Sequence, residues 1–166
     1  SQLPTWEQVR DADTEAVIEA VRPAGLANQK GPRIQEALRF ITQERGELDL
    51  DFLAEWPVEE AKDWLCSMNG VGPKTAAIVL LFSLGRPAFP VDTHVHRLTK
   101  RLGLIGPKVS REKAHVELEQ LVPEEAYYPF HLNLIRHGRR VCSSRKPRCE
   151  ECSLRDLCEY CLVQGI

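Results

Sequence analysis

Four cysteines fall within 17 residues near the end of the chain, Cys142, Cys149, Cys152 and Cys158, in the spacing C-x6-C-x2-C-x5-C. No other feature restricts the fold as strongly. Thiols this dense are held either by disulfides or by a metal group. Ser1 to Arg10 lack a charged stretch followed by an apolar core, so no export signal is visible and disulfides are not expected. The pattern predicts an iron–sulfur cluster. Cys149, Cys152, Cys158 and Cys161 form an alternative set, two C-x2-C pairs suited to zinc, but only five residues separate the pairs, where zinc ribbons place roughly 15 to 20. Cys66 lies in an apolar helical stretch and reads as a small buried hydrophobe.

A cysteine loop of this length cannot organise a whole chain, so the rest must build its own core. At 166 residues and 18.8 kDa, a compact chain hides roughly 70% of its unfolded surface. The 43% apolar and 28% charged fractions are those of a globular protein. The longest apolar run, Ala76 to Phe82, has seven residues, far short of the roughly 18 that a membrane span needs.

The net charge of −2 hides a division along the sequence. Residues 64–148 carry 14 Lys and Arg against 6 Asp and Glu, a net of +8, while residues 1–63 carry 7 against 14, a net of −7. A basic middle suits a polyanion met by one face. Within it, Arg136, Arg139, Arg140, Arg145, Lys146 and Arg148 have no acidic residue in their span. Part of that charge offsets the thiolates, and the loop residues Arg145, Lys146 and Arg148 suit phosphate contacts.

Apolar spacing is helical nearly everywhere: Ala16, Val17, Ala20 and Val21 after a cap at Asp13; Ile34, Ala37, Leu38 and Ile41; Val58, Ala61 and Leu65; Val95, Leu98 and Leu102; Ala114, Leu118 and Leu121 after a cap at Ser110. Gly31 with Pro32, Gly46, Gly85 and Gly103 punctuate these segments, and a helix from about Pro129 to Arg136 is expected to stop before Gly138. Trp6, Trp56 and Trp64 read as packing residues. The fold class is all-α.

Val58 to Leu84 reads as helix, turn, helix, with Asn69-Gly70-Val71-Gly72-Pro73 as the turn. Glycines there let a phosphate approach the backbone. Lys74 follows in the first turn of an apolar helix, where the helix start and removal from water both disfavour an ammonium and free the lone pair for attack. A solvated, phosphate-binding lysine is the plainer alternative. Asp92, in Pro90-Val91-Asp92-Thr93-His94, reads first as a helix cap. His94 and His96 read as local hydrogen-bonding groups.

Gly70-Val71-Gly72-Pro73-Lys74-Thr75-Ala76, Val91-Asp92-Thr93-His94 and the cysteine array, in that order, resemble the endonuclease III family of helix-hairpin-helix DNA glycosylases. The resemblance implies two helical lobes, 1–105 around the hairpin and 106–166 around a four-iron four-sulfur cluster held by Cys142, Cys149, Cys152 and Cys158. The resemblance implies further N-terminal helices that complete the hairpin lobe, and the chain is expected to start after them. It implies Lys74 as a Schiff-base nucleophile, Asp92 as its carboxylate partner and Leu26 as the wedge that opens the base stack. Gly70, Val71, Gly72, Lys74, His94, Arg145, Lys146 and Arg148 would join Leu26 in contacting DNA. The implied activity is base excision of oxidised or ring-saturated pyrimidines with cleavage at the abasic site, by an intracellular monomer acting on damaged double-stranded DNA in the nucleoid, nucleus or mitochondrion. The alternative expectation is a hairpin-and-cluster protein that binds DNA without turnover. A ferredoxin-like carrier would leave the hairpin, Lys74 and Asp92 unused.

Overall fold

The computed structural model describes residues 3–165. Among them lie helices α1 (Trp6–Asp11), α2 (Thr14–Val21), α3 (Ala27–Arg45), α4 (Val58–Cys66), α5 (Pro73–Ile78), α6 (Thr93–Leu102), α7 (Arg111–Leu121), α8 (Tyr127–Arg140) and α9 (Glu159–Gln164). No strand occurs among the described residues, in keeping with the all-α expectation. The chain divides into two compact units, Ser1–Gly72 and Pro73–Ile166.

In the first unit α1 and α2 pack on α3. Asp13 caps α2 as its position predicts, accepting from the Glu15 amide at 3.1 Å. Gly31 and Pro32 do not interrupt a helix; both lie inside α3. A Cβ at Gly31 would come within 2.6 Å of Ile18 Cγ1, so this glycine is there for the approach of α2. Pro32 sits in the second turn, where one backbone bond is given up. Gln35 is buried on the same helix, its Nε2 donating to the carbonyls of Val9, Arg10 and Ala12 and its Oε1 accepting from Thr14. One side chain thus satisfies the carbonyls left open where α1 ends. Trp56 and Trp64 pack edge-on to Phe52, whereas Trp6 is 63% exposed and is not a packing residue.

The second unit is built around Phe89, Val91, Val95, Leu98, Ala114, Leu118, Tyr127 and Leu134. Residues 86–91 form no helix, yet Ala88, Phe89 and Val91 are buried. Irregular backbone can be buried only if its polar groups find partners. Three side chains supply them: His115 Nδ1 meets the Phe89 carbonyl at 2.9 Å, His131 Nδ1 meets the Pro90 carbonyl at 2.9 Å, and the Phe89 amide donates to Glu119 at 2.9 Å. This braced segment delivers the chain to Asp92. Helix α8 continues through Gly138 rather than stopping before it. A Cβ there would lie 2.7 Å from His94 Nδ1 and 3.1 Å from Arg97 Nη2, so glycine is required by the closeness of α6.

Candidate active site and cysteine cavity

The turn after α4 runs to Gly72, with Gly70 at φ +83°. A side chain at Gly70 would be strained in that conformation, and its Cβ would fall 2.6 Å from Arg33 Cδ. Gly70 is exposed, and Val71 and Gly72 are half-buried. Helix α5 turns Ala76 and Ala77 inward, while Pro73, Lys74 and Thr75 are exposed. The withdrawal of Lys74 from water expected from sequence is therefore not a property of the free chain: at this helix start only the alanine side is covered. Past Ile78 the helix widens into a π turn over Val79–Ser83, a form often found at functional sites.

Asp92 caps α6, its Oδ1 accepting from the Val95 amide at 2.8 Å. Its cap role is thus satisfied with one oxygen. His131 is buried on α8, its Nδ1 on the Pro90 carbonyl two residues before Asp92. Burial pushes this imidazole below the ordinary 6.5; its bond to the Pro90 carbonyl and the Asp92 carboxylate work the other way, and the Lys74 ammonium lowers it further. Lys74 and Asp92 lie 18 positions apart in sequence. No sequence signal marked His131.

Of the other residues expected to meet DNA, Leu26 is 70% exposed at φ +56°, and no other non-glycine residue described has a positive φ. An apolar side chain held outward on a left-handed backbone stores roughly 1–3 kcal/mol. Arg145 and Lys146 are exposed. Arg148 is already engaged, donating to the Arg140 carbonyl and pairing with Glu151 at 3.1 Å, just outside the all-basic span. His94 is half-buried with Nδ1 3.1 Å from Arg97 Nη2, and His96 Nε2 lies 2.9 Å from the Val109 carbonyl, the local bonding expected of both.

The cysteines line one cavity. Cys142, Cys149, Cys152, Cys158 and Cys161 face it together with the apolar side chains of Leu98, Leu102 and Val141. Two arginines one turn apart on α6 tie its rim. Arg97 donates to the carbonyls of Gly138 and Cys142 at 3.1 and 2.9 Å, and Arg101 to those of Ser143 and Ser144 at 2.8 and 2.9 Å. Arg101 Nη1 also reaches Cys142 Sγ at 3.1 Å, and His137 Nε2 lies 3.5 Å from Cys152 Sγ. A cation at a thiol, apolar walls and thiols around a space fit a cluster that carries negative charge. Among the described residues no three His, Cys, Asp or Glu gather as ligands of a single metal ion.

A helical chain with this hairpin turn and this cysteine loop is a DNA glycosylase of base excision repair. Its family follows from sequence likeness. The chain belongs to the HhH-GPD superfamily of base excision DNA repair proteins, which residues 1–124 match. Residues 142–158 match the iron–sulfur binding domain of endonuclease III, the domain of a four-iron four-sulfur cluster. The endonuclease III of Sulfolobus acidocaldarius is 35% identical over 158 residues, covering 95% of this chain and 68% of that protein. That of Thermotoga maritima is 35% identical over 161 residues, covering 97% and 71%. A solved non-covalent endonuclease III–DNA complex superposes with a TM-score of 0.80 at 29% identity, over 98% of this chain and 72% of that one. No helix among the described residues is long and apolar enough to cross a membrane.

Proposed function

We propose that the chain excises an oxidised or ring-saturated pyrimidine from double-stranded DNA and then cleaves the strand, with Lys74 as nucleophile and Asp92 as its carboxylate partner. The observation that carries this reading is the run of the hairpin turn into Lys74, exposed in the first turn of α5, in a chain whose residues 1–124 match a base excision repair family. A base must leave the stack before its sugar can be attacked. Leu26 is the wedge on this reading, and Gly70, Val71 and Gly72 receive backbone phosphate, with Arg145, Lys146 and Arg148 contacting the duplex further along.

With DNA in place, water leaves the exposed lysine and the neutral amine attacks C1′. The glycosidic bond breaks as the Nζ–C1′ bond forms, and its electron pair departs with the base. Asp92 stabilises the positive charge that builds on the sugar and takes the proton that Nζ loses. The C1′–O4′ bond then breaks, that proton passes to O4′, and the opened sugar is left with an iminium between Nζ and C1′. That iminium makes the C2′ proton acidic, and its removal expels the 3′ phosphate by β-elimination. The same reading gives the cluster to Cys142, Cys149, Cys152 and Cys158. When bound it cross-links the loop, and the lysine chemistry draws no electron from it. The protein then works as a monomer inside the cell, with DNA.

Borohydride reduction of the protein mixed with a duplex containing an abasic site should leave a covalent adduct that Lys74→Ala cannot form. An equal adduct from the variant removes Lys74 from the chemistry. Tight binding with no strand cleavage by the unmodified chain would favour DNA binding without turnover.

A further inference from the structure

The ligand reading above leaves Cys161 without a role, although it is the most buried of the cavity's cysteines at 2% exposure. It lies on α9, three residues past Cys158, which occupies the cap position of that helix. Its side chain lines the same cavity as the four expected ligands, inside the same apolar walls. The C-x2-C spacing that separates Cys158 from Cys161 is the one that separates Cys149 from Cys152, so two thiols at that spacing can address one cluster. Cys158, for its part, has somewhere else to go: its Sγ donates to the Arg101 carbonyl at 3.3 Å. On leaving iron, the Cys158 thiol would have the Arg101 carbonyl as its acceptor.

We propose that Cys161 is a reserve ligand of the iron–sulfur cluster, able to replace Cys158. This rests on the assignment of the cluster to Cys142, Cys149, Cys152 and Cys158. In the exchange the Cys158 Sγ–Fe bond breaks and a Cys161 Sγ–Fe bond forms. The proton of the incoming thiol passes to the departing sulfur, which then donates it to the Arg101 carbonyl. Thiolate replaces thiolate, so no electron is gained or lost and the cluster's charge is unchanged. The consequence is retention: an iron that loses one thiolate meets another before it meets solvent.

The test compares anaerobically prepared whole protein with Cys142→Ala, Cys158→Ser, Cys161→Ala and the double variant Cys158→Ser/Cys161→Ala. It reads iron and sulfide per chain, the visible charge-transfer absorption and far-ultraviolet circular dichroism. Cys142 has no spare beside it, so Cys142→Ala should come out depleted; a full cluster there refutes the ligand assignment itself. With Cys142→Ala depleted, Cys158→Ser should keep most of the wild-type iron and the double variant should lose it. Equal iron in those two, whether full or absent, overturns the proposal. A measurement independent of Cys158 substitution is the rate of iron transfer from loaded protein to a chelator. It should rise several-fold in Cys161→Ala, and an unchanged rate overturns the proposal as well.

Discussion

The cysteine loop and the glycine turn with its lysine are built in opposite ways. Around the loop, Arg97 and Arg101 spend their guanidinium donors on four backbone carbonyls and one sulfur, and Gly138 lets α8 close on α6. At the turn, Gly70, Pro73 and Lys74 stand exposed, and Leu26 holds an apolar side chain in solvent on a strained backbone. The carbonyls around the loop are met by the chain itself. Lys74 and Leu26, by contrast, are carried in the free protein as an exposed and a strained position, open to the nucleic acid proposed as their partner.

Removing a tie from the loop should therefore cost far more than removing the lysine. Arg101→Leu strands two carbonyls and a sulfur that now accept from a charged donor, which costs about 2–3 kcal/mol. A melting temperature lowered by roughly 5–10 °C with reduced iron content is expected; an unchanged melt would mean that the loop holds itself. A smaller effect is expected of acid. Burial keeps His131 below the ordinary 6.5, so the unfolded chain takes up a proton there that the folded chain does not. Stability is full above pH 6.5 and falls as pH drops below it, by up to about 1.4 kcal/mol per unit. Urea titrations at several pH values should show that slope flattened in His131→Asn, and an unaltered slope would assign it to other groups.

Gly138→Ala sharpens the comparison further. Its Cβ forces His94 and Arg97 aside, at about 1–3 kcal/mol, against nearly 1 kcal/mol gained in helix preference. The net loss should be about 1 kcal/mol by chemical denaturation, and a stabilised variant would show that α6 and α8 can part at no cost. Lys74→Ala should change stability least, within about 0.5 kcal/mol, as for an exposed side chain away from special features. A larger loss would place Lys74 among the structural groups and erase the contrast.

Local signals were readable in the sequence and distant ones were not. Asp13, Asp92 and Ser110 were legible as caps because a cap acts within three residues, and each accepts the amide its position predicts. The cysteine spacing announced its loop for the same reason. Gly31 and Gly138 misled, since a glycine chosen for the approach of another helix looks like one chosen to end its own. Trp6 misled because size alone does not bury a side chain. Gln35, Glu119, His115 and His131 carry no local signal because each serves backbone 23 to 41 positions away, beyond any periodicity. Arg97 and Arg101 offered one hint, two cations a single turn apart, without showing where they point.

Helix α6 begins at the Asp92 cap and, over ten residues, reaches the arginines that grip the cysteine loop. At 1.5 Å per residue it is a rod of about 15 Å with the carboxylate at one end and the metal-binding segment at the other. On the proposed assignment, one helix carries both the carboxylate that serves the sugar and the arginines that tie the cysteine loop.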